Sequence, residues 1–582
     1  MIEFIPRLQQ RYRSVQQADP SNNELFQSYT GALKTLVLAE TLLLKEKLIA
    51  SGQDIPLNLV IFGPTQAGKS TLVNALLPEP LAGVSPLAGY TVHPQGFAIG
   101  QRRTSTAWLE TLLPKFKRYE QEHLHSANFE SYSFSEIKAP SLFQNQQATV
   151  VWDTPDFDSV DAHGYIDGVL RTIGMADILI LMVSKEKYAD QSVWSMLELL
   201  APIGLPLIVC INKLGEDEEQ TLFRSFQNRF KVEISETSVP VLVSLPFVEN
   251  EIKLKTDHVI QAIDLQINSL VGQPKSQHSK KLIELCWQDW IQPINDEIEG
   301  DLAWQSSLQE SVNMAMQSYQ SEFLEHPDYY DTFQRAMAEL LDLLEVPGVG
   351  QSLGKARELI TWPVRTLIGF GKSVITSEPD DVSLRDKNYE ANLLRQLIDQ
   401  MITDLASSNL SDQDSEGPSE EWKQAFRGVL GQSRPKITEG FEQKISLYQS
   451  DFEQEIQDAA KVLYIQLEDK PVLLNSLRAA RVTTDAAAVV FALHSGGISL
   501  NDFILAPAML SLSSMLAESS VGQYMNTVKA RLKARQYDLV KDIFFEYLQH
   551  DLNKLRDQTM SDSRFSIPAA MIEEVESEFF GR

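Results

Sequence analysis

Residues 57–71 carry the chemistry that the rest of the chain has to position: Leu-Asn-Leu-Val-Ile-Phe-Gly-Pro-Thr-Gln-Ala-Gly-Lys-Ser-Thr. The apolar run Leu59 to Phe62 reads as a buried strand of a parallel sheet. It leads into Gly63-x-x-x-x-Gly68-Lys69-Ser70, and a helical pattern follows. Gly63 and Gly68 permit a tight loop whose amides point inward around a phosphate. The next helix adds partial positive charge at its N-terminus. Lys69 is placed to reach β- and γ-phosphates, and the Ser70 hydroxyl to bind Mg²⁺. The candidate phosphate-binding set is therefore Gly63, Pro64, Thr65, Gln66, Ala67, Gly68, Lys69, Ser70 and Thr71.

A second acidic point lies downstream. The β-rich run Ala148 to Trp152 ends in Asp153-Thr154-Pro155-Asp156. A carboxylate at the C-terminal edge of a strand faces the ligand side of an open α/β sheet, so Asp153 is the second metal candidate. Further apolar strands follow at 176–183, at 207–211 running into Asn212-Lys213-Leu214-Gly215, and at 241–244. Strands alternating with helical patterns predict a doubly wound parallel sheet over residues 56–270.

These pieces, in this order and spacing, resemble the GTPase superfamily that includes translation-factor, Era-like and dynamin-like proteins. Gly63 to Ser70 matches its phosphate loop, Asp153-Thr154-Pro155 its second Mg²⁺ motif and Asn212-Lys213 its guanine motif. Ser244 falls in its last base-contacting loop. The resemblance covers roughly residues 57–250. It implies GTP and GDP as ligands, Mg²⁺ as cofactor and hydrolysis as the reaction. It also implies a mobile segment that brings a threonine to Mg²⁺ and the γ-phosphate. Thr91 is the first choice and Ser85 the second, the alternative being that Thr91 starts a strand. Lys69, Thr91 and Gln66 are the candidates for a direct part in catalysis. Gln66 stands where some self-activating members hold a monovalent cation. His93 reads as structural, and Arg102 and Arg103 as surface charge or a finger supplied in cis.

Two positions depart from that pattern. The family usually has glycine after Asp-x-Pro, and its amide meets the γ-phosphate. Asp156 keeps an amide there but brings negative charge. The guanine motif ordinarily ends in an aspartate that accepts two hydrogen bonds from the base; Gly215 replaces it, and Glu216 or Asp217 is the substitute if the loop is longer.

A chain of 582 residues exceeds a single core. Its formal net charge of −28 repels nucleic acid unless a local basic patch intervenes. Cys210 and Cys286 lie in apolar surroundings and read as core thiols in a reducing cytosol. The opening residues do not read as a signal peptide, and with no uninterrupted apolar run of 18 residues an ordinary membrane span is not expected.

The elements around the nucleotide domain are helical. Residues 1–55 form a helical segment whose stripe from Leu33 to Leu48 needs a partner, the C-terminal helices being the candidate. Residues 271–582 are expected as a large all-α domain, with a polar loop at 407–420. Two stretches break that pattern. Residues 346–375 interleave Lys355, Arg357, Arg365 and Lys372 with Leu359, Trp362 and Phe370, as an interfacial membrane element would. The alternative is a buried helix. Residues 484–516 place two apolar arms around Gly496-Gly497, as a hairpin entering one leaflet or filling a helical bundle.

The layout is similar to that of bacterial dynamin-like GTPases. That likeness implies a cytoplasmic protein, peripheral on the inner face of the cell membrane. Its partners would be lipid, an unidentified protein and a second copy through the GTPase domain. Two other readings stay open: a soluble regulatory GTPase or scaffold, and an Era-like ribosomal factor, which the charge opposes.

Overall fold

The computed structural model describes residues 1–18, 23–83, 91–101, 105–124, 128–140, 148–158, 162–214, 219–234, 240–246, 257–270, 277–326, 336–337, 339–340, 343, 383–407, 418–472, 474–475, 522–559 and 564–581. They form two compact units, Met1–Ile298 with Asp562–Arg582, and Glu299–Ser561.

The first unit is built on an eight-stranded sheet: β1 (Leu57–Phe62), β2 (Gln95–Gly100), β3 (Lys117–Tyr119), β4 (Ser131–Lys138), β5 (Thr149–Asp153), β6 (Ile178–Ser184), β7 (Leu207–Leu214) and β8 (Val241–Pro246). The order is β3-β4-β2-β5-β1-β6-β7-β8. The expected parallel strands are present and centre on β1, between β5 and β6. The sheet is nevertheless mixed, because β2 runs antiparallel to β5. β2, β3 and β4, which no apolar run had marked, are mutually parallel and extend the sheet beyond β5.

Every side chain of β1 is buried. Strand alternation sends Val60 and Phe62 to one face and Leu59 and Ile61 to the other, each into its own apolar layer. The second face is covered by α3 (Lys69–Leu76), through Leu72, Val73 and Leu76, and by Val259 and Ile263 from α8 (Asp257–Leu270). The first face takes α1 (Phe4–Ala18), α2 (Asn23–Ala50), α4 (Ala107–Leu112), α5 (Ala162–Met175), α6 (Gln191–Leu200) and α7 (Glu219–Glu233).

The apolar stripe of α2 is packed between α1 and α5, and polar contacts fix its register. Glu40 accepts from Arg171 at 2.5 Å and from Gln9 at 3.1 Å, all three buried. Lys45 donates to Asp177 at 2.7 Å, whose other oxygen accepts the Asn58 amide of β1. The helix ends at Ala50, and Gly52 just beyond it takes φ 81°. The start of α9 (His278–Tyr319) and the closing segment share this layer: Thr35 accepts from Trp290 at 2.8 Å, and Arg11 donates to the Phe565 carbonyl at 2.7 Å. The boundary between the two units falls inside α9, so the first unit extends past residue 270.

The second unit is helical. It comprises the rest of α9, α10 (Ser383–Ser407), α11 (Pro418–Glu468), α12 (Gly522–Asp542) and α13 (Gln549–Thr559), while α14 (Ala569–Phe580) belongs to the first unit. Its apolar layer includes Leu308, Leu394, Ile398, Phe441, Ile456 and Phe544. One buried carboxylate interrupts that layer. A single oxygen of Glu390 accepts from Tyr319 at 2.6 Å, Tyr448 at 2.7 Å and Gln536 at 2.9 Å. Burial pushes the Glu390 carboxyl above its ordinary range, and these three donors hold back part of the rise. No helix among the described residues is long and apolar enough to cross a membrane. Residues 346–375, 484–516 and 408–417 lie outside the described residues.

Candidate functional site

The loop between β1 and α3 is shaped by two close approaches. A Cβ on Gly63 would lie 2.1 Å from the Met182 carbonyl oxygen of β6, so only glycine lets the chain pass. Gly68 has φ 100°, and a Cβ there would meet the Asn212 amide nitrogen at 2.5 Å. Gln66 also adopts a positive φ, 60°, in the same turn. Gly68 caps α3 with no side-chain hydrogen bond to the first-turn amides. Those amides are the donors a phosphate would use.

Strand register delivers the other candidates to this loop. β5 lies parallel to β1, with Asp153 opposite Ile61. Asp153 is fully buried, and one of its oxygens accepts from the Ser70 hydroxyl at 2.6 Å. The other oxygen is buried with no hydrogen-bond partner among the described residues. Burial pushes the Asp153 carboxyl up to about 6, against the pull of the Ser70 hydroxyl and the Lys69 ammonium; the charge of Asp156 adds to the rise. Thr154 is structural: its hydroxyl donates to the Ile61 carbonyl at 3.0 Å and pins the turn after β5.

From the opposite side, β6 and β7 bring Asn212 beside Ser184. Asn212 donates to the Ala67 carbonyl at 3.1 Å, and the Lys213 ammonium lies 3.5 Å from the Gln66 carbonyl. Lys213 takes φ 64°, which turns it back over the loop. Ser244 lies in β8 opposite Ile211, half-buried, one register step short of the residue opposite Asn212.

Lys69 is buried and its ammonium makes three contacts: the carbonyls of Gly63 and Pro64, each at 3.1 Å, and the Asp156 carboxylate. Two residues that the sequence reading did not single out complete the wall. Asp158 accepts the amide and hydroxyl of Thr65 at 2.6 and 2.7 Å on one oxygen, and Lys187 at 2.5 Å on the other. Burial raises the Asp158 carboxyl, but the hydrogen bonds from Lys187 and Thr65 outweigh it and hold it below its ordinary range.

The structure thus joins Gly63 to Ser70, Asp153, Asp156, Asn212 and Lys213 in one place. Thr71 follows in α3. Thr91 stands half-buried ahead of β2, and no hydrogen bond ties it to the loop among the described residues. Ser85, Arg102, Arg103, Gly215, Glu216 and Asp217 lie outside the described residues. His93 is buried, in keeping with a structural part. Cys210 is buried in β7, its thiol pushed up to about 12 by burial, and Cys286 is half-buried and likewise free.

The donor set suits a small hard cation. Asp153 has a buried carboxylate oxygen with a vacant lone pair, and a hydroxyl stands 2.6 Å from its companion oxygen. Mg²⁺ takes oxygen ligands of this kind and usually completes its shell with water and phosphate. Bound there by Ser70 and Asp153, it would neutralise charge on phosphate oxygens.

A parallel-centred sheet with a glycine loop at the end of β1, and a carboxylate at the end of the adjacent strand, defines a P-loop nucleotide-binding domain. Residues 58–213 match the family model described as 50S ribosome-binding GTPase, and this part of the chain is a P-loop GTPase domain. Among solved structures, the chain is similar to Era in complex with MgGDPNP and a fragment of 16S ribosomal RNA: 17% identity, 37% of this chain, TM-score 0.24. An Aquifex aeolicus Era variant bound to GDP and AlF4⁻ gives 17% identity, 36% of this chain and TM-score 0.24. The chain spans 57% of the length of each of these Era chains. It is also similar to a bacterial dynamin pair described as an oligomer for long-range sensing and tethering of membranes: 13% identity, 89% of this chain, 90% of that chain, TM-score 0.33. No curated protein matches.

Proposed function

We propose that the protein binds a guanine nucleotide with Mg²⁺ at the β1–α3 loop and hydrolyses its terminal phosphate. One observation carries this reading: the buried Asp153 oxygen that has no hydrogen-bond partner among the described residues, next to the Ser70 hydroxyl at the mouth of the loop. In this reading Lys69 binds the β- and γ-phosphates, and Ser70 and Asp153 hold the metal. Asn212 and Lys213 brace the loop beneath the base, and Ser244 lies on the base side. Gln66 and Thr91 act on the terminal phosphate, Thr91 arriving with the segment that precedes β2. Catalysis of phosphoryl transfer is mostly positioning and charge stabilisation, so these contacts supply what an in-line attack by water needs. Calorimetry with GTP, GDP and ATP analogues tests the base. Equal affinity for the adenine and guanine forms would contradict the assignment.

The finer reading is a dynamin-like protein at a membrane surface, with nucleotide state passed to the helical unit. It is supported by the basic, tryptophan-bearing run 346–375 and by the paired apolar arms at 484–516, in a chain otherwise strongly acidic. The full chain should sediment with anionic-lipid vesicles and should self-associate in a nucleotide-dependent way. Failure to sediment in every nucleotide state would leave the soluble regulatory reading in its place.

A further inference from the structure

The turn after β5 continues as Asp156-Phe157-Asp158, and both carboxylates fold back onto the glycine loop. Lys69 carries three donors. Two go to carbonyls of its own loop, and the third goes to Asp156, the only carboxylate it hydrogen-bonds among the described residues. Asp156 is buried, so this charge is not diluted by solvent. Phe157 between the two carboxylates is buried with its ring centroid 6.3 Å from that of Phe62, which anchors the turn to β1. Asp158 then ties the turn to the loop a second time, through the Thr65 amide and hydroxyl and through Lys187.

We propose that Asp156 is an internal competitor for the terminal phosphate of a nucleoside triphosphate, and that Asp158 is the positioning residue that keeps it in place. This rests on the reading that the loop binds nucleotide. The ammonium that reaches β- and γ-phosphates cannot serve a carboxylate and a terminal phosphate on the same side, and two anions brought together there repel. A triphosphate is therefore admitted only as residues 156–158 leave the loop. A diphosphate, held chiefly by the loop amides, asks less of that segment. The charge at position 156 thus sets the preference between the two, and the release of Asp158 frees the Thr65 amide as a reporter of the open state.

The test is calorimetry on the full chain with GDP and with a non-hydrolysable GTP analogue, both with Mg²⁺, for wild type, Asp156→Asn and Asp158→Asn. It is paired with hydrogen exchange at Thr65 without nucleotide. Asp156→Asn should raise affinity for the triphosphate analogue about tenfold and that for GDP less than about twofold. Asp158→Asn keeps an acceptor oxygen but loses the charge that pairs with Lys187, so it should shift the ratio the same way by less and should speed exchange of the Thr65 amide rather than free it fully. GDP binding with an unchanged triphosphate-to-diphosphate ratio in both variants overturns this inference and leaves the nucleotide site standing. No binding of either nucleotide by wild type or variants removes the site and the inference together. If Asp156→Asn does not fold, as a thermal scan would show, Asp158→Asn decides by the same ratio.

Discussion

Asp153 and Glu390 are both carboxylates buried away from water, one at the end of a strand in the first unit and one inside the helical unit. Burial raises both. They differ in how the cost is met. Glu390 gathers two tyrosine hydroxyls and a glutamine amide on one oxygen, donors drawn from three other helices. Asp153 has one hydroxyl on one oxygen, and its other oxygen has no hydrogen-bond partner among the described residues. A satisfied buried charge specifies packing, whereas a half-satisfied one at a strand's C-terminal edge is a place prepared for something else. The contrast separates structure from function without appeal to any relative.

The largest expected effect tests the Asp153 side. Removing its charge in Asp153→Asn should abolish the gain in nucleotide affinity that Mg²⁺ gives, a loss of about 100-fold, or close to 3 kcal/mol. Titrating nucleotide in Mg²⁺ and in EDTA measures it; wild type should respond to chelation and the variant should not. Next comes Glu390→Ala, which leaves three buried donors without their shared acceptor and should cost about 2 kcal/mol in a denaturant midpoint of the helical unit. A neutral result would make the two carboxylates alike.

Smaller effects sharpen the same contrast. Glu390→Gln keeps an acceptor oxygen and should stay within about 1 kcal/mol of wild type near neutrality. The folded-state pKa of Glu390 lies above its unfolded value, so the folded chain binds that proton more tightly. Its contribution to stability therefore grows as pH falls from the folded pKa toward the unfolded one, and shrinks as pH rises through the same window. Glu390→Gln should lose this slope, seen as a flatter dependence of the midpoint on mildly acidic pH. Last, Asp153→Asn should leave the stability of the nucleotide-free protein within about 1 kcal/mol, because it removes a buried charge that the fold does not fully compensate. A large destabilisation would mark Asp153 as a structural residue.

The glycine loop, Asp153 and Asn212-Lys213 were legible because their spacing is local and the strands before them are continuous apolar runs. β4 was less so: Ser131–Lys138 alternates polar and apolar residues without a run, and β2 carries two glycines. That missed edge is where the sheet stops being parallel. Asp158 and Lys187 could not be read from spacing, since the Thr65 amide that Asp158 holds is 93 residues away in the chain. The sequence marked Asp156 as an unwelcome charge near phosphate; only the fold shows that Lys69 is its partner. The environment of Glu390 was hidden for the same reason, its donors coming from α9, α11 and α12. The stripe of α2 announced that it needed a partner, and its partners include α5, which follows the Asp156–Asp158 turn in the chain.

The central claim is that the Gly63–Ser70 loop, with Lys69 and Asp153, holds a magnesium nucleotide. Calorimetry of the wild type and Lys69→Ala with GTP, GDP and ATP analogues in Mg²⁺ measures this directly. The account predicts one guanine nucleotide bound per chain, discrimination against the adenine form, and loss of binding in Lys69→Ala. Heat signals that are absent in the wild type, or that survive unchanged in Lys69→Ala, would contradict it.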